Sequence, residues 1–170
     1  MRGGAKAASF SQSNSAYWLE LTLSQGHNGL SAKHSNVEND TNALAEFVDV
    51  YPTLADLCGL PLPAHLEGTS LKPVLRNPAK ARVKTAAFSQ YPRQNASGTR
   101  LMGYSMRTDR YRLTRWVHRD EPSKVDAVEL YDHQTDPQEN TNIAGVAENA
   151  RLLADLTRKW EAGWRGAARG

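Results

Sequence analysis

Thr85-Ala86-Ala87-Phe88-Ser89-Gln90-Tyr91-Pro92-Arg93 is a short run whose only charge is its last residue. Thr85 to Gln90 reads as a buried strand, and Pro92, which cannot donate to a ladder, ends it. The segments that follow have the composition of its partners. Leu101–Arg107 and Tyr111–Val117 are rich in aromatic and β-branched residues, and Thr108-Asp109-Arg110 between them predicts a hairpin turn. In the second strand Tyr111, Leu113 and the Trp116-Val117 end favour burial, while Arg110, Arg112 and Arg115 favour solvent. The alternation slips near Trp116, which predicts a bulge or strand end there. Val125 to Tyr131 reads as a further strand and Asp132 to Thr141 as a loop. A helix follows from about Val146 to Trp164, with Leu152, Leu156 and Trp160 four residues apart and Leu153 beside them. Its expected role is to pack across the sheet.

Toward the N-terminus the clearest element starts at Ala43, where Leu44, Phe47 and Val48 lead into Asp49, a residue type suited to an N-cap. Pro52 falls in the first turn, where a missing N–H costs little. Val50, Leu54 and Leu57 have the i, i+4, i+7 spacing of one helical face, and Gly59 with Pro61 supplies the stop. Pro61–Thr69 reads as loop, Leu71–Leu75 as a helical turn, and Arg76–Lys84 as a basic connector. Tyr17–Leu23 alternates weakly, as a short strand would. Ser24–Thr41 is loop by composition, and residues 1–16, rich in Gly, Ala and Ser without periodicity, read as disordered.

The chain has 170 residues and a net charge of +3. That length is enough for one domain with a real core. From Arg76 to Arg119 there are eleven Arg or Lys residues against one acid, Asp109. Such a stretch fits an anionic partner, or a surface balanced by acids elsewhere in the fold, and charge alone favours the second. With one cysteine, Cys58, no intrachain disulfide is possible. Its place between two leucines at a helix end reads as a small buried hydrophobe. Residues 1–16 hold no apolar core of signal-peptide length, and no run approaches a membrane span. The basic residues match no nucleic-acid recognition motif, so neither nucleic acid nor membrane is expected as a partner.

No Gly-rich phosphate loop and no Gly-x-Ser-x-Gly elbow is present. His27 and His34 lie seven apart near Glu20 and Glu38, which by itself reads as polar loop. His65, His118 and His133 lack ligand spacing.

The segments taken in order resemble the C-terminal part of type I sulfatases. Phe47-Val48-Asp49-Val50-Tyr51-Pro52-Thr53-Leu54-Ala55-Asp56-Leu57-Cys58-Gly59-Leu60, then Glu67-Gly68-Thr69-Ser70-Leu71, is similar to the helix and loop near the end of their catalytic domain. Ser89–Arg93, Met102–Thr108 and Tyr111-Arg112 resemble the iduronate-2-sulfatase branch. Glu129-Leu130-Tyr131-Asp132, Asp136-Pro137 with Glu139, and Asn142-Ile143-Ala144 complete the pattern. The resemblance covers roughly Gly26 to the end.

The resemblance implies a hydrolase of sulfate esters whose nucleophile is a formylglycine hydrate made from Cys or Ser in Cys/Ser-x-Pro-x-Arg. It also implies calcium in the intact family, neutralising the sulfate. These 170 residues contain no such motif. By the same likeness Lys33 falls on a sulfate-contacting lysine. Glu20 falls on a metal-binding aspartate, but Leu21 replaces the next ligand, so the chain alone is not expected to bind calcium. Arg93 and His118, with the Tyr and Trp residues near them, are expected to line the substrate pocket. Thr41 nearly joins Ala43, where the family has a further core strand and a long loop.

The expected fold is α+β: a small, mainly antiparallel sheet from Thr85 to Tyr131 with the Asp49 helix and the C-terminal helix packed on it, a remnant of an alkaline-phosphatase-like α/β fold. The expected organisation is 1–16 disordered, 17–84 an incomplete edge of the catalytic domain, and 85–170 the C-terminal sulfatase subdomain. The expected function is that of an iduronate-2-sulfatase-like sulfuric ester hydrolase without turnover as an isolated chain. Its partners would be a sulfated sugar or other sulfate ester and an N-terminal catalytic half. The alternative is a non-catalytic module binding sulfated polysaccharide through the basic stretch with Tyr91, Tyr104, Tyr111 and Trp116. Intact family members are often secreted, periplasmic or lysosomal.

Overall fold

The computed structural model describes the backbone of residues 8–12, 15–20, 23–24, 27–28, 30–34 and 37–168, with side chains from Thr41 to Ala168. It divides into two compact units, the second running from Ala86 to Ala168.

In the first unit, strands β1 (Ala8–Gln12), β2 (Ser15–Glu20), β5 (Leu30–His34) and β6 (Val37–Thr41) form an antiparallel sheet in the order β1-β2-β5-β6. The short strands β3 (Leu23–Ser24) and β4 (His27–Asn28) pair with each other. Much of Ser24–Thr41 is thus strand where composition reads as loop.

A 3₁₀ turn, Phe47–Asp49, leads into helix α1 (Val50–Leu57). Asp49 is the N-cap of α1, as expected, though its side chain makes no capping bond to that helix. Glu46 is the N-cap of the 3₁₀ turn, and its backbone N–H donates to Asp49 Oδ2 at 2.8 Å in a capping box. The apolar spacing of Val50, Leu54 and Leu57 does not mark the inner face. The buried residues are Asp49, Pro52, Thr53 and Ala55, while Leu54, Leu57 and Cys58 are exposed. Cys58 is therefore not a buried hydrophobe.

Polar contacts set this rotation. Asp49 is fully buried, and its carboxylate accepts from Lys84 Nζ at 2.7 and 2.9 Å and from the Thr69 N–H at 2.8 Å. Lys84 also reaches Glu46 Oε2 at 2.6 Å. A buried carboxylate needs such compensation, and the partners hold that side of the helix inward. Thr53 Oγ1 donates to the Asp49 carbonyl and accepts the Leu71 N–H at 2.9 Å. At Gly68 an added Cβ would sit 2.0 Å from the Val48 carbonyl oxygen, so only glycine allows the loop this close. Beyond it α2 (Lys72–Arg76) places Val74 in a small cluster with Ala43, Leu71 and Val83.

The second unit is an antiparallel sheet of β7 (Ala87–Gln94), β8 (Arg100–Arg107), β9 (Tyr111–His118) and β10 (Glu121–Asp132), in the order β10-β9-β8-β7. The β8–β9 turn falls on Thr108-Asp109-Arg110, as the sequence suggests. Thr108 closes on Tyr111 through its N–H at 2.8 Å, leaving Asp109-Arg110 at the tip. That register sets Arg107 opposite Arg112 and Gly103 opposite Trp116. The expected bulge lies on the partner strand: pairing jumps from Val117↔Val125 to Trp116↔Ala127. β10 also begins earlier than its apolar segment, at Glu121.

Period-two alternation gives the sheet two faces. One carries Ala86, Met106, Leu113 and Leu130, closed by Leu156 and Ala167. After a 3₁₀ turn (Ala147–Asn149), α3 (Ala150–Glu161) supplies Leu152, Leu153, Leu156 and Trp160 to this face, and α4 (Gly163–Ala167) ends it. The loop between β10 and α3 is stapled by side chains. Asp136 accepts from the Thr141 N–H and Asn140 Nδ2, and Asn142 Oδ1 accepts the Leu130 and Ala144 N–H groups. Among the described residues no helix is long and apolar enough to cross a membrane.

Candidate substrate-facing surface

The other face of this sheet carries the polar groups. Across the middle, Ser105 and Thr114 are buried opposite each other, with Thr114 Oγ1 donating to Ser105 Oγ at 3.0 Å. The next row is Tyr91, Gly103, Trp116 and Ala127. The Trp116 ring lies over Gly103, where an added Cβ would meet the ring at 2.6 Å. Its indole Nε1–H donates to Glu129 Oε1 at 2.9 Å. Tyr91 meets the same ring edge-on at 5.3 Å. Burial and the nearby Glu129 charge push the Tyr91 phenol above its ordinary range.

Arg93, in the exposed end of β7, lays its guanidinium over the Trp116 ring, 3.6 Å from the centroid. The contact leaves the cation accessible while restricting it, which suits a guanidinium that must meet an anionic group. His118 is in the same row, through Arg93↔Leu101↔His118. The two backbones are thus about 10 Å apart, two strand spacings. His118 Nε2 lies 3.7 Å from Asp126 Oδ1, on the bulged residue. Arg93 and His118 therefore share one face, with Trp116 in the adjoining row.

Lys33 pairs in register with Trp18 and Glu38, and Glu20 with Ser31, in the first unit. The side chains of both lie outside the described residues. Among the described residues no three His, Cys, Asp or Glu side chains converge on a common point. The described residues thus offer no acid cluster of the kind calcium takes.

The basic stretch is largely neutralised within the fold. Arg100 pairs with Asp120 at 2.8 Å, Arg110 with Asp132 at 2.6 Å and Arg112 with Glu139 at 2.9 Å. Arg115 lies over Trp160, 4.8 Å from its centroid. The Arg110 hydrogen bonds hold the Asp132 carboxyl below the usual range. Sequence reasoning missed the side-chain group of Arg107, Arg112, His133 and Glu139 near the hairpin turn. The two-residue turn that sets its register was the signal available.

Solved structures with this arrangement place the fold among the sulfatases of alkaline-phosphatase-like architecture. The chain belongs to the family described as N-sulphoglucosamine sulphohydrolase, C-terminal, whose model matches residues 31–164. It is 33% identical over 123 residues to an N-acetylglucosamine-6-O-sulfatase of Bacteroides thetaiotaomicron, covering 71% of this chain and 21% of that protein. It is 31% identical over 156 residues to the iduronate 2-sulfatase of Mus musculus, covering 68% and 28%. One similar solved structure holds its substrate, D-glucosamine-2-N,6-O-disulfate, with a TM-score of 0.53, 28% identity and coverage of 74% of this chain and 26% of that one. Another is a phosphonate monoester hydrolase of Agrobacterium radiobacter, with a TM-score of 0.54, 25% identity and coverage of 72% and 25%. The chain thus spans 21% and 28% of the length of the two sulfatases it matches.

Proposed function

We propose that this chain is the substrate-lining C-terminal part of an iduronate-2-sulfatase-like hydrolase of sulfated sugars, and that it performs no turnover by itself. The observation that carries the reading is the Arg93 guanidinium, held over Trp116 at an exposed strand end on the same face as His118. A sulfate ester presents a delocalised anion beside a sugar ring. A stacked guanidinium suits the anion, and the Tyr91 phenol, 44% exposed, gives an aromatic surface for the ring. In this role Arg93 fixes and orients the sulfated sugar. Lys33 is the further candidate for the sulfate.

Hydrolysis needs an oxygen nucleophile and cations at the sulfate oxygens. The formylglycine motif is absent from these 170 residues, and no described side-chain cluster fits calcium. Chemistry at the ester would thus rest with residues outside these 170. The test is an assay of the purified chain on an aryl sulfate and a sulfated disaccharide with calcium. No hydrolysis above background is expected; saturable, calcium-dependent release of sulfate would overturn the reading.

A binding module for sulfated polysaccharide is the second reading, and the accessible Arg93 is what favours it. The ion pairs of Arg100, Arg110 and Arg112 weaken its electrostatic basis.

A further inference from the structure

The β8–β9 register creates a charge problem at its turn end. Arg107 is laddered directly opposite Arg112, and like charges in that position repel. One carboxylate, that of Glu139, contacts Arg112 and reaches Arg107 through its charge alone. Glu139 Oε1 lies 2.9 Å from Arg112 Nε and 2.5 Å from His133 Nε2. Burial, with the charges of Arg107 and Arg112, favours neutral His133, against the opposing pull of its Glu139 hydrogen bond. Asp109, whose charge also reaches Arg107, is exposed at the hairpin tip.

Two details mark this cluster as more than a salt bridge. Arg107 Nη1 is shut off from solvent and has no hydrogen-bond partner. Buried guanidinium donors are ordinarily satisfied, so such a group calls for an acceptor. Glu139 also adopts φ 59°, alone among the described non-glycine residues. Such a backbone persists when its surroundings demand it, and here it carries the carboxylate that holds Arg112 and His133. The cluster is not sealed: the Arg112 and Glu139 side chains keep 19% and 22% of their exposure.

We propose that Arg107 and Arg112 form a binding site for a sulfate-type oxyanion, either the inorganic ion or the sulfate of a sulfated sugar, with His133 and Glu139 as its positioning pair. A tetrahedral oxyanion has enough acceptors to bridge two guanidinium groups and offset their repulsion. Arg107 and Arg112 lie six residues along β8 and β9 from Leu101 and His118. That is about 20 Å along the strands from the Arg93 row. The site is therefore separate from the Arg93 edge and stands whether or not that edge lines a substrate pocket.

The test follows the arginine Nε–Hε resonances of the full chain by NMR during sodium sulfate titration, with ionic strength held constant by sodium chloride. Saturable shifts at Arg107 and Arg112, absent with chloride alone, are expected. Arg107→Gln should abolish them. Arg107→Lys, which keeps the charge but loses the planar fork, should weaken binding at least about fivefold. A parallel titration with a sulfated disaccharide separates the two sources. If it moves the same resonances and inorganic sulfate displaces it, the sugar is a ligand; if only the inorganic ion moves them, the site takes the free ion. Unsaturable shifts, shifts matched by chloride, or unchanged affinity in either variant would overturn the proposal. Should Arg107→Gln fail to fold, the wild-type titration and Arg107→Lys decide it.

Discussion

The two faces of the C-terminal sheet are made by the same four strands and held by different forces. One presents Met106, Leu113 and Leu130, each 0% exposed, to Leu156 of α3. Burial of apolar surface dominates there, and its strength follows volume and fit. The other buries Ser105 against Thr114 and places Trp116 between Glu129 and Arg93. Directed contacts dominate that face, each worth little net stability but costly to leave unmade. The first face fixes the fold, and the second is the one free to present chemistry. Stability should therefore respond most to changes on the first face, and ligand recognition to changes on the second.

The largest loss of stability is expected from Leu113→Ala. It removes a fully buried side chain beneath α3 and should cost about 2–5 kcal/mol. The midpoint of urea unfolding measures it; a change below about 1 kcal/mol would show that this face is not the core. Gly103→Ala should cost about 1–3 kcal/mol, because the new Cβ lies 2.6 Å from Cζ3 of the Trp116 ring. It should also displace the Trp116 indole from Glu129, visible as a shifted indole N–H resonance. A stable variant with that resonance unmoved would contradict the packing of Trp116 over Gly103.

The smallest expected effect is a pH slope. His133 is held below its ordinary value of 6.5, chiefly by burial, with Arg107 and Arg112 adding and Glu139 opposing. The unfolded chain then binds the proton more readily. Stability from neutral His133 is full above pH 6.5 and declines as pH falls from there toward the lower folded value. Asp132, held below 3.8 chiefly by Arg110, adds a second loss at more acid pH. Urea midpoints between pH 7.5 and pH 5 should fall on acidification, with a flatter slope in His133→Gln; equal slopes would remove His133 from the account.

The hairpin and the α3 stripe were legible because period two and period 3.6 are written directly in residue type. The slip near Trp116 was legible too, although the extra residue, Asp126, sits on β10. The inner side of α1 was not, since its apolar stripe pointed the wrong way. Asp49 and Lys84, 35 residues apart, decide that rotation, and no local pattern reveals a long-range ion pair. The same limit applied to the functional surface. The likeness singled out Arg93 and His118, and the ladder puts them in one row. The stack on Trp116 and the shared carboxylate of Glu139 depend on cross-strand register, which one misplaced turn residue would change.

In the proposed function, recognition turns on Arg93 meeting a sulfated sugar beside Trp116. Titration of the chain with a sulfated disaccharide, followed at the Trp116 indole N–H by NMR, tests it. A saturable shift that is lost in Arg93→Ala, with the fold intact by circular dichroism, is the expected result. No shift at Trp116, or equal affinity in Arg93→Ala, would contradict it.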